Sequence, residues 1–253
     1  MTTLPYSTPT LRSRVPAPGR STIRRRRLLD LLDRADTAGT VTLLTAPAGA
    51  GKTTFCDLVS GKTPPATGKV FFDGDEITHV QEVDIARRGI GRKFQTPTVF
   101  DSLTTFENLE LSLPGRQGLW SNLLRATTVA ETERIEALLE RVRLTEVRDT
   151  EASQLSHGQR QWLAISALIL TEPKLLLVDE PAAGLTDAET ALTAELLLEL
   201  RADHTLIVIE HDMDFVRQLD SFVTVLNEGI ILAEGTLQEL QANPEVIEAY
   251  LGR

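Results

Sequence analysis

Three short apolar runs predict strands that are buried on both faces of one sheet. They cover residues 40–46, 174–178 and 204–210 and are rich in leucine, isoleucine, valine and threonine. A continuous apolar run of this length is typical of a strand in a parallel sheet, because helices cover both faces of such a sheet. Since helix-forming stretches separate the runs, the chain predicts an α/β fold with a mostly parallel central sheet flanked by helices.

Apolar residues at helical spacing predict the helices of this fold. Ser156 is a candidate N-cap, the apolar positions of residues 162–169 follow at helical spacing, and Pro173 ends the helix. Further helices are predicted at 24–34, 54–60, 85–89, 188–200 and 236–251, the last with a break at Asn243 and Pro244.

The remaining patterns predict a hairpin, two more strands and a helical insertion. Residues 222–226 and 230–233 form the hairpin around 227–229, while 68–74 and 90–95 are the further strands. Residues 106–152 are helical and polar, with breaks at Pro114, Gly115 and Gly118. They predict a helical subdomain, with bounds at about 101 and 155, inserted between strands of a domain that covers 41–253.

Composition excludes several classes of protein. The 253 residues can bury one large core or two modest ones, and no apolar run approaches the ~18–20 residues of a membrane span. Any membrane association is therefore expected to be peripheral or through a partner. The only cysteine, Cys56, excludes an internal disulfide and fits a reducing compartment. A net charge of −10 argues against nucleic acid as a general partner.

The first residues differ from the rest of the chain. Residues 1–27 contain seven arginines and no acidic residue, so the remainder carries about −17. Four prolines in residues 1–22 oppose helix formation there and predict a disordered or loosely docked segment. This composition is compatible with a targeting segment or with a solvated tail that leads into the predicted helix at 24–34.

A phosphate-binding loop directly follows the first predicted strand. Residues 46–54 read Ala-Pro-Ala-Gly-Ala-Gly-Lys-Thr-Thr, the Walker A spacing with alanine at its first position. The glycines let backbone N–H groups surround a phosphate, the lysine contacts the β- and γ-phosphate oxygens, and the first threonine offers a hydroxyl to Mg²⁺. The predicted ATP-binding residues here are Ala48, Gly49, Ala50, Gly51, Lys52, Thr53 and Thr54.

Polar residues end the predicted strands at the place where open α/β sheets bind ligands. Asp179 and Glu180 follow one buried strand, and His211 follows the next. Taken alone, a histidine in this place is more often structural, Gln95 after the 90–95 strand is compatible with an ordinary surface residue, and Ser156-x-Gly-Gln is compatible with a simple capped helix start.

The set of motifs resembles the nucleotide-binding subunit of ATP-binding-cassette transporters. The resemblance covers roughly 41–253 and rests on six features in order: Walker A at 46–53, Gln95, the signature Leu-Ser-His-Gly-Gln at 155–159, Walker B with its glutamate at 175–180, a D-loop at 182–187, and His211.

The resemblance implies a P-loop NTPase that hydrolyses ATP. Two copies, or this chain and a paralogue, would pair head to tail with each ATP between one Walker A motif and the other chain's signature. Glu180 would be the general base, and His211 would contact the γ-phosphate. Thr53, Gln95 and Asp179 would hold Mg²⁺, while Ser156, Gly158 and Gln159 would contact the nucleotide across the interface.

The resemblance extends to one group of importers. Gly-Ile-Gly-Arg-Lys-Phe-Gln at 89–95 and the ending Asn-Pro-Glu-Val-Ile-Glu-Ala-Tyr-Leu-Gly look like the importers of branched-chain amino acids and urea. His157 in place of a glycine, and Thr186 where aspartate is commoner, favour the urea type. This implies transmembrane permease subunits as partners, a periplasmic or extracellular binding protein indirectly, no nucleic acid, and a peripheral place on the cytoplasmic face of the inner (plasma) membrane.

The N-terminal segment departs from that family. Residues 1–40 lack the strand pair and the aromatic that stacks on adenine, and with the lead-in to the loop they resemble large ATP-dependent LuxR-type regulators. The chain is therefore interpreted as a hybrid joined near the phosphate loop. The alternatives are a nucleotide-dependent regulatory switch, a hydrolysis-impaired hybrid cassette, or a cassette ATPase of DNA repair or translation, although no coiled-coil insertion, second cassette or helix-turn-helix pattern is found.

Overall fold

The computed structural model describes residues 41–45, 52–93, 98–114, 127–227 and 229–251. Several predictions therefore lie outside the described residues. They are the character of the segment 1–40 with its helix at 24–34, the loop residues Ala48, Gly49, Ala50 and Gly51, the side chain of Lys52, and Gln95.

A twisted sheet forms the centre of the described residues. Six strands lie in the order β4-β5-β6-β1-β7-β8, of which the first five are parallel and β8 is antiparallel to β7. The mostly parallel α/β fold predicted from the apolar runs is confirmed. The strand bounds are β1 Val41–Thr45, β4 Ile90–Lys93, β5 Leu175–Asp179, β6 Thr205–Ile209, β7 Phe222–Asn227 and β8 Ile230–Gly235.

Alternate residues of the central strands enter two different apolar cores. Leu175 and Leu177 of β5 face one core together with Phe55, whereas Leu176 and Val178 face the other. Because both faces are covered, all five residues of β5 are buried. This is the physical reason why the strand reads as an unbroken apolar run rather than an alternating one.

Several helices begin at residues whose side chains satisfy free backbone N–H groups. Ser156 accepts a hydrogen bond from Gln159 N and the Gln159 side chain accepts from Ser156 N, which confirms the predicted N-cap. The helices are α1 Lys52–Val59, α2 Glu82–Arg87, α3 Thr105–Leu111, α4 Val129–Arg141, α5 His157–Ile169, α6 Asp187–Leu200, α7 Met213–Leu219, α8 Leu237–Gln241 and α9 Pro244–Leu251.

The helical insertion packs against α5 and belongs to the same apolar core as the sheet. It consists of α3 and α4, followed by two short 3₁₀ turns at Thr145–Val147 and Ala152–Gln154. Its buried residues Leu109 and Ile135 belong to the same apolar cluster as Leu176 and Val178 of β5. The insertion therefore shares its apolar core with the sheet.

Three local predictions are corrected. The strand that was expected at 68–74 with a turn at its end is shorter than predicted and covers only β2 Phe71–Phe72. The turn is confirmed at Asp73 and Gly74, which both adopt positive φ, and it leads into the antiparallel strand β3 Asp75–Glu76. The helix expected at 85–89 covers Glu82–Arg87 instead. It ends before Gly89, whose φ of 101° is not helical.

The third correction is a helix that the apolar pattern did not predict. Helix α7 follows β6, where the Asp212 side chain accepts hydrogen bonds from Asp214 N and Phe215 N. Its seven residues are too few to show a clear helical period in the sequence. No helix within the described ranges is both long enough and apolar enough to cross a membrane.

The burial of Cys56 in α1 leads to a prediction about how fast its thiol is alkylated. Burial, with a smaller contribution from the Asp179 carboxylate, raises the pKa of Cys56 to about 12. Because the thiolate is the reactive form, alkylation at neutral pH is expected to require opening of α1. Mass spectrometry after iodoacetamide treatment should therefore show slow labelling of the native chain and rapid labelling in denaturant. Equal rates in both conditions would contradict the buried position.

Candidate active site

Four parallel strands end at the same edge of the sheet and bring the predicted site residues together. β1 leads towards α1, β4 ends at Lys93, β5 ends at Asp179, and β6 is followed by Glu210 and His211. Strands β5 and β6 are neighbours, with Asp179 paired to Ile209. The carboxyl edge of a parallel sheet is the usual ligand site of open α/β folds.

The backbone turns sharply at Glu180. Its φ is 46°, in the left-handed region, while its N–H donates to the carbonyl of Ile209 at 2.9 Å. A residue other than glycine in this conformation costs on the order of 1 kcal/mol, which the surrounding structure must supply. The turn directs the chain out of β5 and leaves the Glu180 side chain only partly exposed at the sheet edge.

His211 lies between two carboxylates. Its Nδ1 is 3.5 Å from Glu180 Oε1 and 3.2 Å from Glu210 Oε1. Both carboxylates are therefore within ion-pair distance of Nδ1, and a positive charge on the ring would be attracted to both. The structure thus brings His211 next to Asp179 and Glu180, which were predicted from a different motif.

Glu210 is a buried carboxylate that the motif analysis did not select. It is 1% exposed, and its Oε1 accepts from His211 N at 2.9 Å and from Asp212 N at 3.3 Å. Its Oε2 accepts from Ala182 N at 3.3 Å. Glu210 therefore fixes the backbone of His211 and the turn after Glu180 at the same time. The sequence feature that could have identified Glu210 is its position as an acidic residue between a buried apolar strand and His211.

Arg92 connects three elements around Asp179. Its side chain is 5% exposed, and Nη1 lies 2.5 Å from Asp57 Oδ1 on α1 and 3.2 Å from Ser60 Oγ. Its Nη2 lies 3.8 Å from Asp179 Oδ2. Arg92 thus holds the helix after the phosphate loop against the acidic end of β5. The sequence around Arg92, Gly91-Arg92-Lys93, does not indicate these distant partners.

Lys93 is a second buried cation at this edge. It is 3% exposed, and within the described residues no acceptor lies within hydrogen-bond distance of its Nζ. Burial lowers the pKa of Lys93 to about 8, although the charges of Asp179, Glu210 and Glu180 oppose the change. The ammonium therefore compensates the acidic cluster at long range, without a direct ion pair.

The described donor set fits Mg²⁺ bound together with a nucleotide. Thr53 is exposed at the start of α1, and Asp179 supplies a carboxylate at the sheet edge. Mg²⁺ usually takes one or two protein oxygens together with phosphate oxygens and water. The described residues contain no cluster of three or more histidine, cysteine or acidic side chains that could hold a metal ion.

The signature residues lie at the start of α5, and none of their described hydrogen bonds is to Glu180 or His211. Ser156, His157, Gly158 and Gln159 form the N-terminal end of α5, where Ser156 and His157 are exposed and Gly158 is buried. Their described hydrogen bonds to other elements reach the turn after Glu180 and helix α6. Within one chain, the structure therefore does not bring the predicted signature contacts to the acidic edge.

A pH-dependent stability is predicted from Lys93. Between its folded pKa of about 8 and the ordinary value of a lysine, the unfolded chain binds a proton that the folded chain lacks. Folding should therefore become more favourable as pH rises through this interval, and Lys93→Met should remove that gain.

The measurement is the free energy of unfolding of both chains at pH 7 and pH 10, without nucleotide or metal. Lys69→Met, at an exposed lysine, is the control and should behave as the wild type. An identical pH dependence for wild type and Lys93→Met would contradict the assignment.

Comparisons with known proteins identify the family. The family model described as "ABC transporter" matches residues 35–183, and the model described as "Branched-chain amino acid ATP-binding cassette transporter" matches 231–253. The high-affinity branched-chain amino acid transport ATP-binding protein BraF of Pseudomonas aeruginosa is 37% identical over 222 residues, which cover 84% of this chain and 87% of BraF.

Two further proteins agree in sequence and structure. The corresponding protein LivG of Escherichia coli is 37% identical over 218 residues, covering 83% of this chain and 86% of LivG. The crystal structure of the ADP conformation of MJ1267, an ATP-binding cassette of an ABC transporter, has a TM-score of 0.72 and 32% identity, and the match covers 85% of this chain and 89% of that one. The chain belongs to the ATP-binding-cassette transporter family of ATPases.

Proposed function

We propose that this chain is the ATP-hydrolysing subunit of an importer and acts in a head-to-tail pair with a second nucleotide-binding subunit. The observation that carries the proposal is the meeting of Glu180 and His211 at adjacent strand ends, beside Asp179. A general base, an orienting histidine and a metal-binding carboxylate are groups that can position and activate water for phosphoryl transfer.

Glu180 and His211 are assigned to the attacking water. As a carboxylate at the sheet edge, Glu180 can accept the proton of the water as it attacks the γ-phosphate. The Nδ1 of His211 faces the carboxylates of Glu180 and Glu210, so the opposite ring nitrogen is directed away from them and is available to a phosphate oxygen. Glu210 keeps this histidine in place through its backbone N–H.

The phosphates and the metal are assigned to residues around α1. Bound Mg²⁺ would neutralise charge on the phosphates during transfer. Thr53 and Asp179 are suited to hold it, with Gln95 as the further predicted ligand, and Arg92 keeps Asp179 close to α1. Lys52, at the first position of α1, and the loop residues Ala48, Gly49, Ala50, Gly51 and Thr54 are assigned to the phosphates.

The signature is assigned to the nucleotide of the partner subunit. Ser156, Gly158 and Gln159 lie at the N-terminus of α5, an end that carries a partial positive charge and favours anions. These residues form no described hydrogen bond to the acidic edge of their own chain. A contact with the nucleotide of the partner subunit would give them a role in hydrolysis. It also accounts for the need for two subunits.

The transported class is assigned to branched-chain amino acids. BraF and LivG are named for this transport, and the match at 231–253 is to a family described in the same terms. Urea is retained as the alternative that His157 and Thr186 favoured. Both residues lie at the junction of the signature and the turn before α6, so they are not positioned to contact a transported molecule.

The permease subunits are assigned to the surface near the end of β4, which would place the chain peripherally on the cytoplasmic face of the membrane. A groove of about 250 Å³ lies there, lined by Lys93, Thr98, Ala164, Leu168 and their neighbours. Phe100, which is 61% exposed, lies close to Thr98 along the chain and offers an apolar contact. A binding protein outside the membrane would take part only through the permease.

Glu180→Gln is expected to keep ATP binding and to lose most hydrolysis. Loss of a general base lowers the rate by about 10²–10⁴-fold, whereas the amide preserves the size of the side chain. Phosphate release and binding of a fluorescent ATP analogue measure the two properties. Glu133→Gln on the exposed face of α4 is the matched control. Unchanged phosphate release by Glu180→Gln would remove Glu180 from the role of base.

Lys52→Ala is expected to abolish ATP binding, because the loop then lacks the charge that contacts the β- and γ-phosphates. Equilibrium binding of the fluorescent analogue gives the affinity, and Lys69→Ala, at an exposed lysine of the same charge, is the control. An ordinary affinity for ATP in Lys52→Ala would disprove the assignment of the phosphate loop.

Two experiments test the finer parts of the proposal. Uptake of labelled leucine, but not of urea, should depend on the chain in cells and fail with Glu180→Gln. Dependence of urea uptake alone would reverse the substrate assignment.

The second experiment concerns residues 1–40. The full chain should hydrolyse ATP with these residues as they are. If only a version with a two-stranded, aromatic-bearing start is active, the chain is a hydrolysis-impaired hybrid.

A further inference from the structure

Helices α5 and α6 begin with capping boxes that are joined to each other. Thr186 caps α6, and Glu189 Oε2 accepts from Thr186 N at 3.0 Å and from Thr186 Oγ1 at 2.9 Å. The other carboxylate oxygen, Oε1, accepts from Ser156 Oγ at 3.2 Å. The Ser156 hydroxyl is itself the cap of α5, since it accepts from Gln159 N. One carboxylate therefore connects the starts of two helices that are 30 residues apart in the sequence.

A second hydrogen bond connects the same two regions. His157 Nε2 lies 3.1 Å from the carbonyl oxygen of Ala183 and 3.4 Å from Gln161 Nε2, and the tautomer that carries the proton on Nε2 donates it to this carbonyl. The next residue, Gly184, has φ 74°, and a Cβ on it would lie 3.3 Å from His157 Nε2. The turn therefore needs glycine both for its backbone and for the close approach of the imidazole.

The connection continues into the buried interface of the helices. Trp162 Nε1 donates to Thr193 Oγ1 at 2.9 Å, and Thr193 Oγ1 donates to the carbonyl oxygen of Glu189 at 2.7 Å. Thr193 is fully buried and Trp162 is 7% exposed, so water does not replace these bonds. Hydrogen bonds thus connect α5 to α6 at the first turn of α5, through Ser156, and again about one and a half turns later, through Trp162.

We propose that Glu189 is a positioning residue for ATP hydrolysis, which holds the Ser156 hydroxyl and the turn at 181–186 in one fixed arrangement. The inference rests on the proposed head-to-tail function, in which the signature contacts the partner's nucleotide. The turn directly follows Glu180, so Glu189 couples the surface that faces the partner to the strand that carries the general base. His157 supports the same arrangement through Ala183.

The charge of Glu189 fits this role. Hydrogen bonds from Thr186, with a smaller contribution from Ser156, lower the pKa of Glu189 below its ordinary value. The side chain therefore remains a carboxylate throughout the neutral range and accepts from both partners at once. Two helix N-termini converge on it, and each favours a negative charge.

The chain contains a matched control for the capping part of this role. Glu239 forms a capping box with Thr236 at the start of α8, with distances of 2.8 Å to Thr236 N and 2.9 Å to Thr236 Oγ1. In the described residues, the hydrogen bonds accepted by its carboxylate come from Thr236 alone. Glu239→Ala therefore removes a similar cap without affecting the signature.

The kinetic experiment compares the wild type with Glu189→Ala, Glu189→Gln and Glu239→Ala. Loss of a hydrogen-bonded charge that orients a group in the reaction should reduce kcat of Glu189→Ala by about 10-fold or more, with a smaller change of KM. Glutamine also fits this position of a capping box and can still bond Ser156, so Glu189→Gln should recover most activity. Glu239→Ala should keep the wild-type kcat while losing similar stability in denaturant. Equal kcat values for both alanine variants would overturn the proposal.

Hydrogen exchange gives a readout that does not depend on hydrolysis. Glu189→Ala should increase amide exchange at 155–160 and 181–186 together, whereas Glu239→Ala should leave both segments protected. If Glu189→Ala unfolds, His157→Ala breaks the second connection without removing a cap, and it should change the same two segments and lower kcat in the same direction. Unchanged exchange at 155–160 would overturn the proposal. Inactive wild type, or an active Glu180→Gln, would instead refute the proposed function, and the exchange data would still decide whether Glu189 holds the signature.

Discussion

The buried carboxylate of Glu210 holds the acidic edge of the sheet together. A charge that is 1% exposed is costly unless it is fully hydrogen-bonded, and three backbone N–H groups, those of Ala182, His211 and Asp212, surround this one. These groups belong to the segments after two neighbouring strands. The position of His211 and the path of the chain beyond Glu180 therefore both depend on the same side chain, and neither can change without leaving a buried charge unsatisfied.

Two cations on the edge strand balance the acids around this carboxylate. Arg92 forms direct contacts with Asp57 and Asp179, while Lys93 is buried without a close partner in the described residues. Their different behaviour follows from their chemistry, because a guanidinium remains charged when buried whereas an ammonium responds with a lowered pKa. The edge thus combines a fixed ionic contact, which positions Asp179 against α1, with a weaker field that reduces repulsion among the carboxylates.

The sequence predicted the sheet and the polar residues at its strand ends, because these are encoded locally. An unbroken apolar run with Asp179 and Glu180 at its end defines β5, and Ser156 with Gln159 defines the start of α5. Contacts made by tertiary packing could not be predicted in the same way. Glu189 and Ser156 are 33 residues apart, and Arg92 and Asp57 are 35 apart, so nothing near either residue identifies its partner. The short helix α7 was missed for a different reason, since seven residues are too few to show a helical period in the sequence.

The close contact at Gly158 has a mechanical consequence. A methyl group there would overlap the Glu189 carboxylate, so the first turn of α5 lies directly against the side chain that caps α6. Two surfaces in such contact cannot slide or rotate past each other without separating first. Helices α5 and α6 are therefore expected to move together, so that a tilt imposed on α5 by a membrane partner would also displace the segment after Glu180.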